Sequence, residues 1–272
     1  MVRAVDASGN VGAWTTAEKS FSIEDVVTPD TPDNVYHAQG LVVSEDGELM
    51  SGYWDADKTG QGDSLLCWAA SASNMLAWWQ NRYELQNFTS QDAPATADSI
   101  FHTFTSNWNN ASGREKYGLI WWVSGETEDA AYQDFYSKNY TGGTDVGEYY
   151  AAHYDEISTS QLVKEVSLTG VSAEQIAMDW ASVYESGGIM SVGVYRTMGS
   201  ASLSGGHTLT LWSFSTDASG RLCSMTVTDS DDKTDALLTL NLVYNVTQGY
   251  YQINQAGSSL HGYLLGDYSS LG

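Results

Sequence analysis

An α+β fold is what this chain predicts, with helices in its first part and an antiparallel sheet after them. Three observations carry that reading. Leu65, Ala69, Ala72, Leu76 and Trp79 recur at alternating spacings of four and three, the apolar stripe of a helix. The segment SAEQIAMDWASVYESGG (172–188) is a second helix: Ser172 and Gln175 fit a capping box, and Gly187-Gly188 ends it. From residue 189 the pattern changes to strands, over 189–195, 207–214, 222–228, 237–246 and 250–254.

The elements before the first helix read differently. VRAVDASGNVGAWTTAEKSFSI (2–23) alternates apolar and polar residues around a Gly-Asn turn, as two strands of a hairpin do. It resembles the last two strands of fibronectin type III or bacterial Ig-like domains. EDVVTPDTPDNV (24–35) follows as an acidic linker holding two of the three prolines. The expected organisation is therefore 1–34, the end of a truncated Ig-like or fibronectin III-like domain plus linker, and 35–272, a separate globular domain. Within the latter, GYWDADKTGQGDS is a loop, and Asp63 or Ser64 stands where the cap of the first helix belongs. Residues 84–170 are rich in Asn, Tyr and Trp without clear periodicity, so their elements are not assigned. Trp108, Trp121, Trp122, Tyr149 and Tyr150 in that stretch suit either a protein-recognition face or the core.

Composition narrows the function. The 272 residues carry 34 acidic and 11 basic side chains, a formal charge of −23, which repels nucleic acid and anionic membrane surfaces. No apolar run reaches the roughly 18–20 residues that span a bilayer, and the N-terminus has no apolar signal-peptide core. Two cysteines, Cys67 and Cys223, cannot make a disulfide-stapled framework.

Cys67 is the residue with the strongest chemical context. It falls in the first turn of the predicted helix, where unpaired N–H groups and the positive end of the dipole favour a thiolate. A buried structural cysteine is the competing reading. A thiolate nucleophile needs an imidazole base, and the base needs an orienting group. Of the five histidines, His207 alone opens a strongly patterned strand. The segment GGHTLTLWSFSTDASGRLCSMTVTDSDD folds as a hairpin about 217–220, which brings His207 opposite residue 230 and sets Asp229 or Asp231 beside it. The acidic turn also reads as a solvated loop or a weak calcium loop. Cys223 lies on the inner face of that hairpin with Met225 and Val227 and reads as core. Lys58 and Gln61, nine and six residues before Cys67, are the candidate oxyanion donors; either also reads as an exposed loop residue.

Gln61-Gly62 followed by CWAA resembles papain-like cysteine peptidases. GYWDADKTGQGDSLLCWAASASNMLAWW and HTLTLWSFSTDASGRLCSMTVTDSD together resemble, more closely, the IdeS/Mac family of IgG-degrading cysteine endopeptidases, through Lys-Thr, Leu-Leu-Cys, Asn-Met-Leu-x-Trp-Trp, His-x-x-x-Leu-Trp and Val-Thr-Asp-Ser-Asp. The resemblance implies a papain-like fold, with a helical part carrying the nucleophile packed on an antiparallel sheet carrying the histidine and aspartate. It implies Cys67 as nucleophile, His207 as base, Asp229 as orienting carboxylate, Asp231 as a supporting acid and Lys58 at the oxyanion. The Lys58–Cys67 interval is one residue shorter than the family's, so Gln61 stays in view beside the favoured Lys58. It further implies a secreted or surface-attached bacterial enzyme that needs no metal or cofactor and cuts an immunoglobulin near its hinge. The alternatives are a papain-like peptidase with other protein substrates, or a non-catalytic module that holds a host protein or glycan.

Overall fold

A computed structural model describes residues 34–82, 93–125, 129–143, 147–153, 159–198 and 203–272. The expected hairpin over 2–23, and with it the Ig-like or fibronectin-like remnant, lies outside the described residues. Asn34 and Val35, read above with the linker, open a strand of the main sheet.

Six helices are described: α1 (Cys67–Arg82), α2 (Ala97–Asn107), α3 (Glu115–Val123), α4 (Ala130–Asn139), the single turn α5 (Thr159–Leu162) and α6 (Ala173–Glu185). The strands are β1 (Asn34–His37), β2 (Val42–Val43), β3 (Leu49–Ser51), β4 (Val163–Ser167), β5 (Ile189–Met198), β6 (Leu203–Thr216), β7 (Leu222–Thr228), β8 (Leu238–Asn245), β9 (Tyr250–Ile253) and β10 (Leu264–Leu271). The α+β reading is correct, and every strand predicted after residue 189 is present within a few residues.

The sheet is more closed than an open antiparallel layer. Strands run in the order β6-β5-β10-β9-β8-β7, and β7 pairs back onto β6, so six antiparallel strands form a barrel-like ring; β1 extends β6 and β4 extends β10 on the outside. Closure removes the exposed edges that an open sheet would present. The predicted turn of the β6–β7 hairpin is present. Asp217 accepts from the amides of Ser219 and Arg221, and Gly220 takes the positive φ of 78° that closes it.

The helices pack on one another and on β5 and β6. Residues 68–80 of α1 are buried throughout, so this helix has no solvent face. Leu65, placed in its stripe from the sequence, precedes the helix and is 47% exposed. Gly118 of α3 lets the two helices approach: a Cβ there would sit 3.1 Å from Ala72, Phe104 and Trp68. The aromatics of the middle segment fill this interface. Trp68 packs edge-on against Phe104, Trp108 and Phe135, contacts of about 0.5–1.5 kcal/mol each beyond area burial. Trp108, Trp121, Trp122 and Tyr150 are buried and Tyr149 is packed against them. These five therefore belong to the core, and the recognition-face alternative for them is set aside.

Local capping agrees with the chemistry of the sequence where side chains were free to act. Ser172 caps α6 by accepting from the Gln175 amide, while the Gln175 side chain turns instead to Asp179, leaving the capping box half made. Thr96 and Ser99 make a full reciprocal box at α2, and Asp129 caps α4.

Candidate active site

The first helix begins later than expected, at Cys67 itself. Neither Asp63 nor Ser64 caps it. The Asp63 carboxylate is taken by the Thr59 and Gly60 amides and the Thr59 hydroxyl, and the Ser64 hydroxyl accepts from Asn110. Residues 63–66 instead make a turn, with the Leu66 amide on the Asp63 carbonyl. The outcome for Cys67 is stronger than the prediction. It is the opening residue of a 16-residue helix, where the N–H groups have no intrahelical acceptor and the dipole is most positive.

The face of α1 that carries Cys67 also carries Ser71 and Asn74, at i+4 and i+7. These two bind the sheet. Ser71 Oγ lies 3.0 Å from Thr210 Oγ1 of β6; Asn74 Nδ2 donates to Thr210 Oγ1 at 3.0 Å and to Thr228 Oγ1 of β7 at 3.3 Å. Asn74 Oδ1 accepts from the Ala56 amide, and Trp212 Nε1 donates to Thr228 Oγ1. All of these side chains are buried, so the network has strong geometric demands. It fixes the register between the helix with the thiol and the strands with the base. Sequence reasoning did not single out Ser71, Asn74, Thr210 or Thr228; polar residues at i+4 and i+7 from a candidate nucleophile, in an otherwise apolar helix, were the available signal.

His207 comes from β6. Pairing with β7 runs as far as Thr210 opposite Thr228, after which the chain turns, with the Asp232 amide on the Asp229 carbonyl. That turn delivers Asp229 Oδ1 to His207 Nε2 at 2.6 Å. The Asp229 carboxylate also accepts from the Asp231 amide; burial alone would raise its pKa, but the His207 hydrogen bond and charge, this amide and the charge of Lys58 hold it below the ordinary carboxylate value. With Nε2 committed to Asp229, Nδ1 is the ring nitrogen left for the sulfur.

The sulfur and the ring line the same cleft, and each shifts the titration of the other. Burial alone would raise the Cys67 thiol, but the His207 hydrogen bond and charge, with the charge of Lys58, pull it below its ordinary value. Burial alone would lower His207; the hydrogen bonds to Asp229 and Cys67 and their charges override it and raise the ring to about 10. The two shifts have one cause, since each partner favours the charged form of the other. Cys67, His207 and Asp229, proposed from sequence as a row, are brought together.

Lys58 reaches the same place from the loop before α1. It is 5% exposed. Its amide binds the Ser230 carbonyl, and its Nζ lies 3.0 Å from the Ser64 carbonyl and 2.8 Å from Asp231 Oδ1. Asp231, more than half exposed at its side chain, also faces His207 Nδ1 at 3.8 Å. Gln61 is not with them. The Asp63 bonds that fold the 59–63 loop leave it exposed, lining a separate depression with Asp57, Asp98 and His102. Cys223, read above as core, stays apart from the site and is only half-buried, against Ser215.

A cleft of about 490 Å³ opens over the sulfur, lined by Cys67, His207, Asp229, Asp231 and Lys58, and by Leu65, Arg196 and Tyr263 among others. Glu115, at the start of α3, is a buried acid whose charge acts on Cys67. Its carboxyl is buried and accepts from Ser269 Oγ at 3.5 Å, and burial together with the charge of Asp267 raises it to about 7. No sequence signal marked it. Two sets of donors, His207/Asp229/Asp231 and Asp55/Asp57/Asp232, each bring three ligand atoms within 4.8 Å of one another. In the first, the carboxylates are already matched by His207 and Lys58. Among the described residues no helix is long and apolar enough to cross a membrane.

Residues 133–260, which include His207 and Asp229, match the family model described as Mac 1. The chain is 23% identical over 242 residues to an IgM protease of Streptococcus suis, an alignment covering 76% of this chain and 21% of that protein. The chain thus spans about a fifth of the length of the curated relative it matches. The two matches bear out the resemblance to the IdeS/Mac family.

Proposed function

We propose that this chain of the IdeS/Mac family is a cysteine endopeptidase that cuts an immunoglobulin, with Cys67 as nucleophile, His207 as acid–base and Asp229 as the group that orients the ring. The observation that carries the reading is the Cys67–His207–Asp229 row, with the thiol lowered and the imidazole raised at the mouth of a cleft. The thiol proton resides on His207 and the sulfur attacks the scissile carbonyl carbon. Negative charge develops on the carbonyl oxygen, which the Cys67 amide and Lys58 Nζ stabilise. The tetrahedral adduct collapses, the C–N bond breaks, and His207 gives its proton to the leaving amine. Neutral His207 then takes a proton from water, whose oxygen attacks the thioester and frees the sulfur. Asp231 holds Lys58 in place through their ion pair. The Nζ contacts of Lys58 within the cleft support it over Gln61 as the second oxyanion donor.

The immunoglobulin substrate follows from the family and from the relative's name; secretion or attachment at a bacterial surface follows from the same resemblance. The test is incubation with IgG, IgA, IgM and casein, with and without iodoacetamide, and with the Cys67→Ala variant. Iodoacetamide-sensitive fragments of one immunoglobulin, with a cut site fixed by mass spectrometry, support the reading. Digestion of casein alone replaces it with a general peptidase, and binding without cleavage replaces it with a non-catalytic module.

A further inference from the structure

Five of the nine lysines and arginines among the described residues are neutralised by neighbours. Lys58, Arg114, Lys116, Lys138 and Arg221 each sit in an ion pair with a carboxylate. Arg196, near the end of β5, differs. Among the described residues no carboxylate pairs with it, although it lines the cleft that holds Cys67. Its guanidinium is nevertheless held. Nε donates to Tyr263 Oη at 2.6 Å, and the guanidinium carbon stands 5.5 Å from the centre of the Tyr263 ring. Tyr263 directly precedes β10, whose Leu264 pairs with Tyr195, so adjoining strands fix both residues. This arrangement orients the side chain through Nε and leaves the two terminal nitrogens as a fork, the geometry that receives a carboxylate in two parallel hydrogen bonds.

The other cations of the cleft do not compete for that role: His207 is bonded to Asp229. Lys58 already has Asp231 and the Ser64 carbonyl. Nor does the remainder of the protein attract an acidic segment, since its formal charge is −23. An acidic side chain brought into the cleft would therefore be favoured at one place and repelled by most of the surface around it.

We propose that Arg196, positioned by Tyr263, is a specificity-determining residue: a subsite that takes a glutamate or aspartate side chain of the protein segment being cut. The inference rests on the peptidase reading above and names a feature of its substrate. It is tested by labelling rather than by turnover. The probes are tripeptidyl chloromethyl ketones of Ala and Gly carrying Glu, Gln or Lys at one position, and the readout is the rate of alkylation at Cys67, followed by mass spectrometry. In the unaltered protein, Glu at one position reacts about fivefold faster than Gln, and the advantage shrinks with added salt. Arg196→Gln brings the ratio to one, Arg196→Glu inverts it in favour of Lys, and Tyr263→Phe gives an intermediate value. Each variant keeps its rate with iodoacetamide, which shows that the thiolate and the fold are intact. A Glu/Gln ratio of one at every position, or a preference that survives Arg196→Gln, overturns the proposal. Failure of Cys67 to react even with iodoacetamide overturns the peptidase reading instead.

Discussion

One short extended segment, residues 54–58, has two faces with opposite electrostatic fates. Ala56 and Lys58 point inward: the Ala56 amide binds Asn74, and Lys58 binds Ser230, Ser64 and Asp231. Asp55 and Asp57 alternate with them and meet Asp232. On the first face, carboxylates find cations, and Asp229 is held below its ordinary pKa. On the second face, no ion pair reaches Asp55, Asp57 or Asp232 among the described residues. Burial and then mutual repulsion raise Asp55 to about 8 and Asp57 to about 6. The same residue type is held ionised at Asp229 and keeps its proton through neutral pH at Asp55. Acidity of the sequence says little about where the charge is; the partner decides.

The sharpest way to break the compensated side is to remove its cation at the centre. His207→Ala leaves Cys67 without a proton acceptor and Asp229 buried without its ion partner, and kcat/KM should fall by about 10³-fold or more. If purified His207→Ala protein retains turnover, the assigned base is wrong.

Asp229→Ala keeps the ring but takes away what raises it, and a loss of about 10²–10³-fold is expected. The pH profile carries the finer signature. The thiolate–imidazolium pair exists above the lowered thiol pKa and below the ring's value of about 10. Because the folded-state ring pKa is raised, the stability it contributes is complete below the ring's ordinary value near 6.5 and is lost as pH climbs through about 10. In Asp229→Ala the alkaline limb moves to lower pH. An unmoved limb would show that another group sets it.

Lys58 and Asp231 form the next rank. Lys58→Met removes the proposed oxyanion donor and should cost about 10²-fold in kcat with little change in KM. Asp231→Asn leaves the ammonium present but loosely held, and about a tenfold loss is expected. Equal losses from the two variants would mean that Lys58 acts through Asp231 and the fold, not on the oxyanion.

The smallest effect, opposite in sign, is on the uncompensated side. A carboxyl whose folded pKa is raised binds its proton more tightly when folded, so stability falls as pH rises from about 4 to about 8. Asp55→Asn removes that dependence. It should stabilise the protein by about 1 kcal/mol at pH 8 and by nothing at pH 4. Denaturant titrations at the two pH values decide it; a destabilised variant at pH 8 would mean that the cluster is matched by a cation in solution.

Legibility from sequence divided along similar lines. The β6–β7 hairpin was readable because Asp217 and Gly220 have the chemistry of one turn, and folding about them predicted the His207–Asp229 contact. Alternation marked β5 to β9, where one face of each strand is polar. Helix α3 was not readable, because burial erased its polar face: it is Glu-Lys-Tyr-Gly-Leu-Ile-Trp-Trp-Val, with no stripe to detect. The cap of α1 was misread because Asp63 spends its carboxylate on its own loop, and the same bonds carry Gln61 away from the cleft. Closure of the ring by β10 joins residues far apart in sequence, a long-range pairing that local pattern cannot announce.

The polar contacts of Ser71 and Asn74 with Thr210 and Thr228 lock the register between two packed bodies, the helix holding sulfur and the sheet holding imidazole. A small slip along that junction would separate the pair while each body kept its backbone order. On warming, alkylation of Cys67 should therefore slow before circular dichroism registers any loss of helix or strand, and the thiol serves as a strain gauge for the joint it sits on.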